Sequence, residues 1–150
     1  MQRGLRHFEN VTVSSNVGGG IVNNNPGEMT LLNGTVTLNT GIGVWGTRSV
    51  DGDAITNLKN TIVAGNAGTG PDCSFPPSFV SQGSNLIGNS DKCDFSESDG
   101  DIVGTGASPI DPMLGPLQYE GGTTQTHRLL PGGPAIDAAF WHPEHLAFDS

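Results

Sequence analysis

The chain is poor in charged, basic and aromatic side chains. Charged residues make up 14% and aromatic residues 6% of its 150 positions, and only 6 side chains are basic against 15 that are acidic. The formal net charge of −9 would repel a phosphate backbone, so we expect no nucleic-acid partner. No apolar run approaches the roughly 20 residues that a membrane-spanning helix needs, so we expect no membrane span.

Cysteine is equally scarce, with Cys73 and Cys93 as the two examples. Two cysteines without clustered histidines do not make a zinc site, which leaves two buried thiols or a disulfide. The disulfide fits an exported protein better, and in the chain-entropy model it would contribute roughly 3 kcal/mol. Residues 1–9 contain charge but no apolar core, so they do not form a signal peptide. We nevertheless predict a secreted or cell-surface location.

Glycine and proline, by contrast, are abundant, at 23 and 10 residues. They alternate with short runs of valine, isoleucine, leucine and threonine, a pattern typical of brief strands joined by tight turns. Long helices do not fit this spacing. Ile21-Val22 and Val44-Trp45, which lie beside glycine clusters, are predicted as additional short strands.

Three seven-residue segments repeat along the first half of the chain. Residues 10–16, 33–39 and 60–66 begin and end with asparagine and carry valine at the fourth position, and a looser copy occupies residues 85–89. Their first residues lie 23 to 27 positions apart, a spacing typical of stacked repeats. With no helical periodicity between them, the segments predict an all-β parallel β-helix of roughly four to six short turns.

The residue types within each copy suit such a coil. Alternation along a strand predicts that Val11 and Val13 point inward in the first copy, and Val36 and Leu38 in the second. In the third copy, alternation leaves the choice between Ile62 and Val63 open. The bounding asparagines, which tolerate left-handed backbone and can bond the amide of the next turn, are predicted at corners: Asn10, Asn16, Asn33, Asn39, Asn60 and Asn66. Asn10 and Asn33 also match the glycosylation sequon, an alternative to the corner role.

The composition of the chain changes after the third copy of the repeat. We predict a proline-rich excursion at 71–79 and an acidic loop at 91–101, so that residues 1–105 form the rungs with a cysteine-flanked insertion. Residues 106–139 carry prolines at 109, 112, 116, 131 and 134, a density that argues against regular ladders. They are interpreted as a C-terminal cap, and residues 140–150 as an atypical tail.

The second half of the chain resembles the C-terminal region of bacterial right-handed β-helix surface proteins, the choice-of-anchor Q and polymorphic outer-membrane-protein-like groups. The motifs that carry the resemblance are, in order, Asp72-Cys73, Ser84-Asn85-Leu86-Ile87-Gly88, Asp111-Pro112, Leu114-Gly115-Pro116-Leu117, Thr126-His127, Leu130-Pro131-Gly132 and Pro134-Ala135-Ile136-Asp137. The resemblance implies a right-handed, pectate-lyase-like fold in an exported surface protein. The chain departs from it at Glu120, at Gly133 and after Ala139.

Residues that could carry chemistry are few. Five carboxylates within eleven residues have the charge density of a calcium site: Asp91, Asp94, Glu97, Asp99 and Asp101. The EF-hand pattern is not met, and a solvated acidic turn is the favoured explanation. Calcium is the one cofactor the sequence suggests. Weak catalytic candidates for a calcium-dependent lyase or hydrolase are Arg48, Asp51, Asp53 and His127. The alternative for His127 is a hydrogen bond to a backbone carbonyl.

The sequence therefore favours an adhesin-like segment of a cell-surface protein that presents a rigid face to a glycan or another surface partner, without catalysis. The alternative is a small calcium-dependent hydrolase or polysaccharide lyase acting on a glycan, ester or lactone. In either case, strands left unpaired at the ends of the coil predict a homo-oligomer that forms through these ends.

Overall fold

The chain is described here from a computed structural model, which describes residues 4–24, 26–46, 50, 52–67, 70–74 and 77–139. These residues form strands and no helix. In chain order the strands are β1 (Leu5–Glu9), β2 (Thr12–Ser14), β3 (Ile21–Val22), β4 (Glu28–Leu32), β5 (Thr35–Thr37), β6 (Val44–Trp45), β7 (Ile55–Lys59), β8 (Ile62–Ala64), β9 (Ser78–Ser81), β10 (Leu86–Ile87), β11 (Asp94–Ser96), β12 (Ile102–Val103), β13 (Leu114–Tyr119) and β14 (Gln125–Leu129).

Strands from successive repeats stack on one another in parallel. The first sheet has the order β1-β4-β7-β9-β11, and the second has the order β2-β5-β8-β10-β12. The two-stranded sheet β3-β6 is also parallel. Every member of the two long sheets pairs with the strand one repeat before or after it, which makes the chain a parallel β-solenoid. The stacked coil predicted from the repeat is thus confirmed.

The core lies between the two long sheets and is built from inward-facing residues that stack from rung to rung. In the second sheet the inward column is Val13, Val36, Val63, Ile87 and Val103. Opposite it, Met29, Leu31, Leu58 and Phe79 of the first sheet are each at most 2% exposed. Val11 packs against the same cluster. The fourth-position valine therefore fills the interior, and Val63 is the inward residue of the third copy.

Leu38 is the exception, because the prediction that it points inward is wrong. Its side chain is 54% exposed, and its backbone is left-handed with φ of 55°. Ser15 and Gly65 occupy the same place in their repeats and have φ of 59° and 70°. The strand alternation has ended at Thr37, and the corner that follows turns residue 38 outward.

The proline-rich segment contains a regular ladder, contrary to the sequence prediction. Strands β13 and β14 pair as an antiparallel hairpin, and their register shifts between Leu114 and Leu117. Pro116, which cannot donate a hydrogen bond, lies within this irregularity, where an unpaired residue is tolerated. The other prolines of the segment lie outside the two strands.

The predicted acidic loop is also partly a strand. Asp94–Ser96 form β11, the last rung of the first sheet, in parallel with β9. Phe95 packs against the core, while its two neighbours on the strand are exposed. A single aromatic residue between two polar ones gave little apolar alternation to recognise.

The predicted disulfide between Cys73 and Cys93 is confirmed, with the two Cα atoms 5.2 Å apart. Cys73 is fully buried and belongs to the core cluster, and Cys93 packs against it. Cys73 forms a parallel bridge with Val44 of β6. The disulfide therefore joins the side of the solenoid formed by β3 and β6 to the segment before β11.

Replacing a core leucine tests this assignment of inside and outside. Leu58 is completely buried, so Leu58→Ala should lower the free energy of unfolding by about 2–5 kcal/mol. The matched control is Leu38→Ala on the exposed corner, which should cost less than about 1 kcal/mol. Urea unfolding followed by circular dichroism measures both, and equal losses would contradict the assignment.

Candidate functional site

Asparagines occupy two corners of the solenoid, and the first of these is exposed. Asn10, Asn33 and Asn60 have left-handed φ values of 54°, 54° and 48°, a conformation that asparagine tolerates better than most residues. The Nδ2 of Asn33 donates to Oδ1 of Asn10 at 3.2 Å, and Asn60 donates to Asn33 in the same way at 2.8 Å. This first ladder lies on the surface, where water competes for its hydrogen bonds.

The second ladder is almost entirely buried and has two bonds at each step. The backbone N–H and the Nδ2 of Asn16 both donate to Oδ1 of Asn39, at 3.0 and 2.9 Å. Asn39 does the same to Asn66, at 3.2 and 2.8 Å. Each amide also donates back to the carbonyl of an earlier strand, Asn39 to Val13 and Asn66 to Val36. Asn39 and Asn66 are at most 2% exposed, so these bonds satisfy polar groups that water does not reach.

This buried ladder ends on a carboxylate. The N–H and Nδ2 of Asn66 donate to Oδ1 of Asp72, at 2.7 and 3.0 Å. The other oxygen, Oδ2, accepts from the backbone N–H of Asn89 at 2.8 Å. Asp72 therefore lies between two rungs and accepts from both. A carboxylate fits because it only accepts, whereas an amide would present a donor to one of the two rungs.

A second carboxylate ends a further ladder near the first corner. The N–H of Thr61 donates to Oδ1 of Asn85 at 3.0 Å. Asn85 then donates from its N–H and Nδ2 to Oδ1 of Asp101, at 2.8 and 3.1 Å. Oδ2 of Asp101 accepts from the N–H of Ser98 at 2.7 Å. Both buried asparagine ladders thus end on an aspartate, and the role of Asp101 in this structure is that of an acceptor for Asn85.

Burial raises the pKa of the Asp72 carboxyl above its ordinary value of 3.8, and the hydrogen bonds from Asn66 and Asn89 offset this only in part. Desolvation acts in this direction because it disfavours the charged form. Asp72 also lines a cleft of about 360 Å³ together with Asn89, Ile110 and Asp111. Asp72 belongs to the Asp72-Cys73 motif of the resemblance, but it was not predicted as a site residue, because it lies outside the asparagine repeat and outside the acidic cluster at 91–101.

The candidates for catalysis do not form a group in the described residues. Arg48 and Asp51 lie outside the described residues. Asp53 is half-buried just before β7. His127 lies on β14, where Nδ1 contacts the carbonyl oxygen of Gly115 and Nε2 contacts Oγ of Ser14, both at 2.7 Å. The expected backbone partner of His127 is therefore present, together with a serine that sequence reasoning had not selected.

The five acidic candidates for calcium are spread over different elements. Asp94 lies on β11, where it accepts from the hydroxyl of Ser78 at 3.1 Å, and Asp91 accepts from the N–H of Gly106 at 2.9 Å. Glu97 and Asp99 are exposed. Within the described ranges, no group of three or more histidine, cysteine or acidic side chains is placed to hold a metal ion. Calcium binding stays a prediction.

The outer faces of the two long sheets differ in how far other parts of the chain cover them. On the second sheet, Leu86 is 2% exposed, and residues of β14 and of the segment 130–139 lie opposite it. The cavity between these layers measures about 210 Å³. It is lined on the sheet side by Thr35, Ile62, Leu86 and Ile102, and on the other side by His127, Leu129, Ala135 and Ala138.

The outer face of the first sheet carries exposed side chains on β1, β9 and β11 and half-buried ones on β4. Its central row is His7, Thr30, Asn57, Val80 and Ser96, one residue per strand. His7, Val80 and Ser96 are exposed. Asn57 is nearly buried and donates to Glu28 of the neighbouring strand at 2.7 Å, which fixes side chains of adjacent rungs relative to each other.

Family models, curated proteins and solved structures were all compared with the chain, and none of them matches. The part of the chain that the structure describes also contains no helix that is long and apolar enough to cross a membrane.

Asparagine replacements should show that the buried ladder contributes more to stability than the exposed one. Asn39→Ala would remove the acceptor of the Asn16 N–H and amide, the donor to the carbonyl of Val13 and one of the two donors to Oδ1 of Asn66. We therefore expect a loss of at least about 2 kcal/mol in unfolding free energy. Asn33→Gly on the exposed corner should change it by less than about 0.5 kcal/mol, because glycine accepts the left-handed backbone. Urea titrations of both variants provide the test. A smaller loss for Asn39→Ala than for Asn33→Gly would contradict the ladder's structural role.

The raised pKa of Asp72 predicts a pH dependence of stability. Because the folded state binds this proton more tightly than the unfolded state, the contribution of Asp72 is greatest below pH 3.8 and is lost as the pH rises through the folded pKa. Asp72→Asn removes this titration. We therefore expect the difference in unfolding free energy, wild type minus Asp72→Asn, to decrease as the pH is raised from about 3 to 7. Urea unfolding at each pH measures this difference. A difference that grows with pH would show that the pKa is lowered instead.

Proposed function

We propose that this chain is a segment of an exported, adhesin-like surface protein that presents the outer face of its first sheet to a glycan or another surface partner. The single observation that carries the proposal is the contrast between the two sheets. The chain covers the outer face of the second sheet with its own hairpin, whereas His7, Val80 and Ser96 leave the first sheet's face accessible.

The regular spacing of this face favours a polymeric partner. Neighbouring strands of a sheet lie about 4.8 Å apart, so one row presents a side chain at that interval along the solenoid. Hydrogen-bonding groups recur in it at His7, Thr30 and Ser96. A chain of repeating sugar units offers hydroxyl groups at regular intervals too. Because the net charge is −9, a neutral glycan is a better partner than a polyuronate unless calcium bridges the two.

The finer features of the fold belong to the same proposal. We propose a right-handed, pectate-lyase-like coil, since parallel crossovers are right-handed in about 98% of cases. Five strands in each long sheet support a coil of about four to six turns, with residues 106–139 as its C-terminal cap. The disulfide supports a secreted or cell-surface location. Edge strands β1, β2, β11 and β12 support self-association through the ends.

Affinity electrophoresis through gels that contain a soluble polysaccharide tests the proposal. The wild type should be retarded by a neutral xyloglucan. The double variant His7→Ala, Val80→Ala removes two exposed side chains from the central row and should bind about tenfold more weakly, a change of about 1.4 kcal/mol. The matched control Val17→Ala truncates a valine that is 94% exposed in a turn, and it should bind like the wild type.

Polygalacturonate, with and without calcium, provides the comparison that separates the two functional classes. Calcium-dependent cleavage of this polymer would favour the lyase over the binding segment. Equal retardation of the wild type and the double variant would show that the first sheet's face does not carry the binding. No retardation by xyloglucan, or by polygalacturonate with calcium, would contradict the glycan proposal.

A further inference from the structure

A serine and a histidine from distant parts of the chain form a hydrogen-bonded pair with a defined direction. Nε2 of His127 lies 2.7 Å from Oγ of Ser14, and Nδ1 lies 2.7 Å from the carbonyl oxygen of Gly115. A carbonyl oxygen only accepts, so Nδ1 must carry a proton. In the neutral imidazole, Nε2 is then the acceptor and the hydroxyl of Ser14 is the donor. The carbonyl of Gly115 therefore fixes the tautomer that can take a proton from Ser14.

This is the arrangement in which a hydroxyl becomes a nucleophile. A base within hydrogen-bond reach of the serine, itself oriented by a third group, is the general signature of nucleophilic catalysis. Here the orienting group is a backbone carbonyl instead of a carboxylate. The two partners are carried by different elements, Ser14 by β2 and His127 by β14, and His127 is only 8% exposed.

The backbone beside Ser14 offers a donor for a developing oxyanion. In the parallel pairing of β2 with β5, the carbonyl of Val11 and the N–H of Ser15 bond to β5, with N···O distances of 2.8 and 3.3 Å. Alternate residues of a parallel strand bond to the same neighbour, so the N–H of Ser14 points to the opposite edge. β2 is the last strand of its sheet in the described part of the chain, and this edge faces no further strand there.

The cavity that His127 lines has room for a small apolar group. It measures about 210 Å³, and Ile62, Leu86, Ile102 and Leu129 contribute to its lining. A short acyl chain would bury its carbons against these side chains. The net charge of −9 disfavours an anionic substrate, which points to an uncharged ester.

We propose that Ser14 and His127 hydrolyse small, uncharged carboxylic esters. Oγ of Ser14 attacks the ester carbonyl carbon while its proton passes to Nε2 of His127. The carbon–oxygen bond to the alcohol then breaks, and the alcohol leaves with the proton from Nε2. Water, activated by the same nitrogen, attacks the acyl-serine, which releases the acid and restores the hydroxyl. This activity is independent of the proposed glycan-binding face, since it uses the second sheet and its hairpin.

Labelling with a fluorophosphonate probe, followed by peptide mass spectrometry, tests the nucleophile. The probe should modify Ser14, and p-nitrophenyl acetate should be hydrolysed at a rate that Ser14→Ala lowers by about 10²-fold. The matched control is Ser108→Ala, which removes an exposed hydroxyl in the loop after β12 and should leave both readouts unchanged. Labelling spread equally over several serines, or turnover unaffected by Ser14→Ala, would overturn the proposal.

The role of His127 requires a test that does not depend on the folding of one variant. His127→Gln keeps a hydrogen-bonding side chain but cannot take the proton, so it should lower labelling of Ser14 by about 10²-fold with an unchanged circular dichroism spectrum. In Ser14→Cys, the introduced thiol is the one free thiol available for mild alkylation because Cys73 and Cys93 are bonded to each other. Iodoacetamide should react with it at least about tenfold faster at pH 7 than with the same thiol in a His127→Gln background. Equal alkylation rates would show that His127 does not act as a base.

Discussion

The paired hydrogen bonds from Asn16 to Asn39 and from Asn39 to Asn66 are the interaction on which the solenoid depends. Each rung contributes only two or three short strands, which would leave polar backbone unsatisfied at every corner. One amide side chain accepts two bonds from the rung before it and donates to the rung after it. Because Asn39 and Asn66 are buried, a misplaced rung would lose bonds that water cannot replace. The corner thereby fixes the register in which the valines of the core stack.

Asp72 and the disulfide act together where the regular repeat stops. The third copy is followed by an insertion, and Asp72 occupies the place in which the corner asparagine of the next rung would accept from Asn66. Cys73, the next residue, enters the core and bonds to Cys93. The insertion between β8 and β9 is therefore accommodated without leaving the donors of Asn66 unpaired. The burial that this requires also raises the pKa of Asp72.

The repeat could be predicted from the sequence because each copy combines an apolar residue with two corner asparagines. The orientation of Leu38 could not be predicted, because its left-handed backbone at the corner interrupts an alternation of apolar and polar residues that is continuous in the sequence. The hairpin β13–β14 is not predictable from proline density, because Pro116 lies at a register shift where a strand tolerates it. Ser14 and His127 are 113 positions apart, so no local pattern brings them together.

The buried ladder has a direction, and this direction makes the fold modular. From Asn16 to Asn66, each side-chain amide donates to Oδ1 of the next residue in the ladder, and the last acceptor is the carboxylate of Asp72. Each rung therefore presents the same acceptor to the rung before it and the same donors to the rung after it. A duplicated or deleted unit between Asn16 and Asn66 would meet matching partners on both sides. Proteins of this design can consequently change length by tandem gene duplication, one rung at a time, while the terminating aspartate and its neighbouring cysteine stay unaltered.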